Sequence, residues 1–196
     1  MRKSISISLV VLLSACFDQS AQLEREFLEK YLNGLYAFPD DITDHFPGEL
    51  KAHKNFYIHY PASARETGMA GMVFSHQVDS TEFNRVRDKL VLNNIIPHKT
   101  SDSIFIIVGD TLGYSKKKNG IPIPNFNFYE ADFGLNSKYL PEHYLIYVLE
   151  SKAGEYLKDK YLTEGKHLPK KWKNGYSRGL ATNKEDNELV YWLCVW

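Results

Sequence analysis

Tyr176-Ser177-Arg178-Gly179-Leu180-Ala181-Thr182 and Glu188-Leu189-Val190-Tyr191-Trp192-Leu193-Cys194-Val195-Trp196 stand on either side of the polar run Asn183-Lys184-Glu185-Asp186-Asn187. Two runs rich in aromatic and β-branched residues around a turn of Asn, Asp and Lys predict a β-hairpin. The second run is almost wholly apolar, which predicts that its strand lies centrally in a sheet.

Working back from the hairpin, residues 143–149 predict another strand and residues 151–162 return to helix-like spacing. Residues 103–108, with Ile104, Phe105, Ile106 and Ile107 contiguous, predict a buried strand. Between the two, residues 109–141 are rich in Gly, Pro, Asn and Tyr and predict a long excursion, a kind of loop that is uncommon unless it carries function or covers an edge. Upstream, Asp79-Ser80-Thr81-Glu82 offers N-cap chemistry, and Phe83, Val86, Leu90 and Val91 then form a helical stripe to about Asn94. Residues 55–60 predict a strand stopped by Pro61, residues 62–70 a short helix, and residues 72–78 a further strand.

From Phe17 to about Ala37, Leu23, Phe27, Leu28, Tyr31, Leu32 and Leu35 recur at three- and four-residue steps, the pattern of one helix face, with Asn33-Gly34 and Pro39-Asp40 marking its end. The sum is an α+β domain: an N-terminal helix packed on a mainly antiparallel sheet of about five or six strands, ending in a C-terminal hairpin. No internal repeat or low-complexity segment interrupts it.

Residues 1–15 have another character. A basic start at Arg2 and Lys3 precedes an apolar run over residues 5–13 and small residues before Cys16, the layout of a secretory signal. The run is shorter than the roughly 20 residues that a bilayer span requires. Leu13-Ser14-Ala15-Cys16 resembles the lipobox of bacterial lipoproteins. The resemblance implies cleavage before Cys16, a diacylated sulfur and an acylated new amino terminus, and several acyl chains anchor stably where one does not. Phe17 rather than Asp follows the cysteine, which under the enterobacterial sorting rule favours the outer over the inner membrane. The expected organisation is a signal peptide at 1–15, a lipidated tether at 16–20 and one globular domain at 21–196.

The 196 residues carry 24 basic and 24 acidic side chains, and loss of Arg2 and Lys3 leaves a net charge of −2. No field of that size steers a protein to nucleic acid, so no nucleic-acid partner is expected. With Cys16 given to lipid, Cys194 has no partner in the chain and the fold is not stapled by a disulfide.

Tyr60-Pro61, Ala64-Arg65, Gly68, Gly71 and Val73, with Phe46-Pro47-Gly48 upstream, resemble the start of the TonB carboxy-terminal domain. The match covers some twenty residues, and a helix rather than a long hairpin is expected after residue 79. The resemblance implies an outer-membrane transporter as partner. The physical content of the pattern is a Pro-started helix capped by Gly68, with Gly71 turning the chain into a strand.

Asp40, Asp41, Asp44 and His45 lie within six residues and offer oxygen and imidazole ligands to a cation, though Asp at turns and helix starts is also ordinary capping chemistry. Asp40, Asp44 and His45 are the weak metal candidates. Ser75, His76 and Asp79 have the residue types of a hydrolytic triad, but neighbours on a strand face opposite ways. Cys194, within an apolar strand, reads as an inert core thiol. Lys170, Lys171, Lys173 and Arg178 around Trp172 and Tyr176, and the run Lys116-Lys117-Lys118, read as solvated basic loops or as a surface for anionic head groups or glycan. Aromatics are 14% of the chain, many of them between 109 and 141, so Tyr114, Phe126, Tyr129 and Trp172 are the candidate binding residues.

No cofactor motif is present. The leading expectation is a non-enzymatic envelope lipoprotein that binds an envelope protein or glycan through the 109–141 region. The alternatives are an envelope hydrolase whose site is assembled only in the fold, and a TonB-like partner of an outer-membrane transporter.

Overall fold

The structure is a computed structural model and describes residues 5–50, 54–108, 114, 119–126, 140–162 and 167–196, with residues 5–20, Lys54 and Thr67 described by their backbone alone. Most of the 109–141 excursion, Tyr129 within it, lies outside the described residues, as does the side chain of Cys16.

In chain order the elements are α1 (Ile5–Tyr36), α2 (Asp40–Thr43), β1 (Lys54–His59), α3 (Ala64–Thr67), β2 (Ala70–Gln77), α4 (Ser80–Leu92), β3 (Pro97–Lys99), β4 (Phe105–Val108), β5 (Ile121–Pro124), β6 (Leu145–Ala153), β7 (Gly175–Asn183) and β8 (Glu188–Val195). The fold is α+β. Six strands form one antiparallel sheet in the order β1-β2-β8-β7-β6-β3, while β4 and β5 pair in parallel as a separate ribbon. The hairpin β7–β8 forms where the sequence predicts it, and β8 is central, paired with β2 on one side and β7 on the other.

Alternation along the strands divides the core in two. One face of the sheet presents Met72, Phe74 and His76 from β2, Leu189, Tyr191 and Leu193 from β8, and Leu180 from β7. Helix α1 covers it with Phe27 and Tyr31, whose rings stand 5.1–6.5 Å from those of Phe56 and Phe74. Helix α4 adds Phe83 and Leu90. The opposite face presents Val73, Val190, Trp192, Cys194, Ala181 and Ile146, and is covered by the β4–β5 ribbon, Phe126 and Trp172. Each side chain of β8 from Leu189 to Val195 therefore enters one core or the other, which explains why this strand is apolar without alternation.

Local signals place the connections. Pro61 opens a 3-10 turn that runs into α3, and Gly68 caps α3 at φ 80°, its N–H donating to the Ala64 carbonyl. Asp79 caps α4, its Oδ1 accepting from the Glu82 N–H at 2.8 Å. The end of α4 is a Schellman motif: Asn94 takes φ 56°, its N–H donates to Val91 O, and Ile95 N–H reaches back to Leu90 O.

Two expectations are corrected. Residues 151–162 are not helical: β6 continues to Ala153, its register shifted by a bulge between Val148 and Glu150, with Ser151 opposite Ser177 and their hydroxyls 2.7 Å apart. Ladder bonds to β7 outweigh a weak three-to-four spacing there, and only a 3-10 turn at Asp159–Tyr161 follows. Helix α1 ends at Tyr36, where the sequence places its end; Gly34 lies inside it, so close to Phe56 that a Cβ at residue 34 would stand 2.5 Å from that ring. Of the predicted apolar stripe, Tyr31 is buried and Phe27 and Leu35 half-buried, while Leu23, Leu28 and Leu32 are exposed. The backbone is helical over 16–20 as well, and among the described residues no helix is long and apolar enough to cross a membrane.

Gly179 faces Val148 on one side and Trp192 on the other. A Cβ there would lie 2.2 Å from the Tyr147 carbonyl and 2.6 Å from the Trp192 indole, so the missing side chain is what lets that ring lie across β7. Gly179→Ala is expected to lower the unfolding free energy by about 2 kcal/mol, read from denaturant midpoints at unchanged m-value.

Candidate functional site

Where α4 crosses the first face of the sheet it leaves a cleft of about 770 Å³. His76, Tyr191, Leu180 and Leu149 form its floor, one from each of four neighbouring strands. Glu82, Arg85, Val86, Lys89 and Asn93 line the α4 wall, and residues 44–49 form the wall opposite.

That second wall is a loop, and four contacts hold it to the body. Phe46 is buried with its ring 6.2 Å from that of Tyr191. The Tyr31 hydroxyl donates to the Pro47 carbonyl at 2.7 Å. Arg178 on β7 donates through Nη1 to the Asp41 carbonyl at 2.8 Å and to the Asp44 carboxylate, and its Nη2 lies 3.2 Å from Glu150. His45 Nε2 donates to the Trp192 carbonyl at 3.0 Å. A largely buried guanidinium is stable only when paired, and here two carboxylates from different segments supply the pairing.

The electrostatics follow from burial. Burial pushes the His45 imidazole down to about 4, against the Trp192 carbonyl, which favours the charged form; the nearby Arg178 adds to the depression and Asp44 opposes it. With its Nε2 proton engaged by a carbonyl, neutral His45 leaves Nδ1 as an acceptor, buried and without a hydrogen-bond partner. Burial likewise pushes the Tyr191 hydroxyl up to about 12; Glu82 raises it further and Arg85 works against it. Glu82 and Arg85 are joined by two hydrogen bonds of 2.7 and 2.8 Å one helical turn apart, an exposed pair that orients the rim. Arg85 is correspondingly held more firmly protonated by Glu82. The cleft thus combines an apolar floor with neutral polar groups and a charged rim, a combination that suits binding.

The candidates named from sequence fall in different places. Asp40 is exposed at the start of α2. Asp44 and His45 do reach the cleft wall, but Arg178 and the Trp192 carbonyl engage them. Among the described residues no group of three or more His, Cys, Asp or Glu side chains is placed to hold a metal ion. Ser75 and His76 point to opposite faces of β2: His76 lines this cleft and Ser75 a small pocket behind the sheet. Phe126 and Trp172 are 6% and 4% exposed and belong to the second core. The Trp172 indole donates to Gly120 O at 3.0 Å and the Phe126 ring stands edge-on to Trp192. Tyr114 is half-buried against the same core, and Tyr129 is outside the described residues. Of the aromatic surface expected between 109 and 141, Phe126 is core packing. Cys194 is fully buried, with its thiol pushed up by burial.

Tyr191, Glu82 and Arg85 are the site residues that reading the sequence missed, and Arg178, read there as part of a basic loop or anionic-ligand surface, is a largely buried residue of β7. Arg178 had a signal, a charge in the middle of an otherwise uncharged strand run. Tyr191 had none, because it sits within the apolar run of β8.

Comparison with known proteins adds no relative. No protein-family model matches the chain, and no curated protein or solved structure matches it either.

His45 carries the pH prediction. Its folded value near 4 lies below the ordinary 6.5, so above pH 6.5 both folded and unfolded chains hold it neutral. Between 6.5 and 4 the unfolded chain takes up the proton first, and stability falls as the pH drops through that window. The shift corresponds to about 3 kcal/mol. Unfolding free energies at a series of pH values should fall less steeply across this window in His45→Gln than in the parent chain.

Proposed function

We propose that this chain is an envelope lipoprotein, held to a bacterial membrane by acyl chains on Cys16, with the outer membrane favoured over the inner. Its domain acts as a non-enzymatic binding module whose ligand seats in the cleft beneath α4. The observation that carries the binding role is the cleft itself: about 770 Å³, within the range of small-ligand pockets, with Leu149, Leu180, Val86 and Leu90 inside and Glu82, Arg85 and Lys89 at the rim. Such a site fits a segment of a partner envelope protein, apolar where it meets the floor and polar where it crosses the rim. Support for the anchor lies in Leu13-Ser14-Ala15-Cys16 and the basic-then-apolar stretch before it.

The cleft is preferred because, among the described candidate binding residues, Phe126 and Trp172 are committed to the second core and Tyr114 is half-buried against it. A second consideration points the same way: the 44–49 wall is fastened from α1, β7 and β8, so the cleft is preformed and a ligand need not order it.

Two measurements test the reading separately. Growth with an alkyne-tagged palmitate should label the parent chain and leave Cys16→Ser unlabelled; a labelled Cys16→Ser chain, or an unlabelled parent, overturns the anchor. A photo-crosslinking residue at Asn93, on the cleft rim, should capture one discrete envelope protein in cells, whereas the same residue at Glu185 in the β7–β8 turn should not. Val86→Trp, which fills the cleft, should abolish the Asn93 adduct while leaving thermal unfolding close to the parent's. An adduct that survives Val86→Trp would move the ligand elsewhere.

A further inference from the structure

The Schellman motif that ends α4 leaves an apolar tip. Val91 and Leu92 on the last turn are 61% and 82% exposed, and Ile96 just past the motif is 69% exposed. Ile95 and Leu90 turn inward to the first core, so the inward apolar requirement of this corner is already met without the three exposed residues. Lys89 and Lys99 flank the tip, both exposed, and among the described residues neither has an ion-pair partner. Arg87 is engaged by Asp88 at 3.1 Å, and Asn93 by the Lys89 carbonyl at 2.7 Å.

We propose that this tip enters the head-group layer of an anionic phospholipid surface, with Val91, Leu92 and Ile96 reaching the acyl boundary and the two lysines meeting lipid phosphates. For the source of that surface the proposal rests on the anchored reading given above. Three side chains on a protruding helix end fall far short of the roughly 800 Å² per partner that a stable protein contact buries. They match what a bilayer interface asks for: a few exposed apolar groups with long ammonium side chains beside them that can bury their stems and keep their heads at the phosphates. The polar asparagines of the turn, Asn93 and Asn94, stand between the apolar residues and leave no continuous apolar sequence to cross the bilayer.

The test uses the full chain with Cys16→Ser and Leu92→Cys, spin-labelled at position 92. Cys194 is 0% exposed, so the label goes to residue 92 alone. The probe is vesicles of phosphatidylglycerol and phosphatidylethanolamine. In vesicle-bound protein the label should become more accessible to oxygen and less accessible to a water-soluble nickel complex, while a label at Lys184→Cys in the β7–β8 turn stays in water. The change at 92 should be smaller on phosphatidylcholine vesicles and should be lost when Ile96→Asp is added, an exposed substitution that leaves the thermal midpoint in place. A label at 92 that stays as accessible to nickel as the one at 184 overturns the proposal. So does a label immobilised without vesicles, which would mean contact with a second copy, and so does equal insertion into phosphatidylcholine. Acylation of Cys16 is read separately by palmitate labelling in cells, so a failure of the anchor and a failure of the tip give different results.

Discussion

Strand β8 is paired along both edges and covered on both faces, and the other elements are arranged around that double burial. Leu189, Tyr191, Leu193 and Val195 point into the core beneath α1 and α4, while Val190, Trp192 and Cys194 point into the core beneath the β4–β5 ribbon. Neither cover is dispensable, because a strand apolar on both sides would otherwise expose one row of large side chains to water. The ring of Trp192 illustrates the coupling. It lies over Gly179 on β7, meets Phe126 edge-on, and its carbonyl accepts from His45 in the wall of the cleft. One residue of the central strand thus ties the second core to the candidate site on the other side of the sheet.

The cleft is a consequence of how the first face is covered. Helix α1 fills the side of the face over β1 and β2, and α4 crosses it further along, with residues 44–49 between them. That loop has no ladder of its own. It is positioned by side chains from distant parts of the chain: Tyr31 from α1, Arg178 from β7 and the Trp192 carbonyl from β8. The cost of burying the Arg178 guanidinium is offset by Asp44 and Glu150, so the group that is least at home in the sheet is the one that fixes the wall. The proposed ligand site therefore owes its shape to polar contacts, although Leu149 and Leu180 supply half of its floor.

Much of the fold was legible because its signals are local. The Asp79 cap, the Pro61 start and Gly68 stop of the short helix, the polar turn before β8 and the unbroken apolar run of β8 each act over a few residues. What misled was spacing without a local anchor. Residues 151–153 follow a helical rhythm yet pair with β7, β5 hides in an Ile-Pro-Ile-Pro run whose prolines lack donors, and β3 is three residues long. Asp44 and His45 were candidates for a metal, beside an ordinary capping reading, and do line the cleft, but the partners that engage them lie 134 and 147 residues away, beyond the reach of any motif.

By itself the sequence determined the class of the domain, the hairpin and the central place of β8, because hydrophobic pattern, caps and turns act through neighbouring residues whatever the rest of the chain does. It also carries Leu13-Ser14-Ala15-Cys16, whose resemblance to a lipobox is read directly from a linear segment. Only the tertiary structure decided which aromatic residues are core, that the charge of Arg178 belongs inside, and that His76, Tyr191, Leu180 and Leu149 share one floor. Those outcomes depend on which strands become neighbours, a long-range choice made by burial of the whole sheet rather than by any stretch of it.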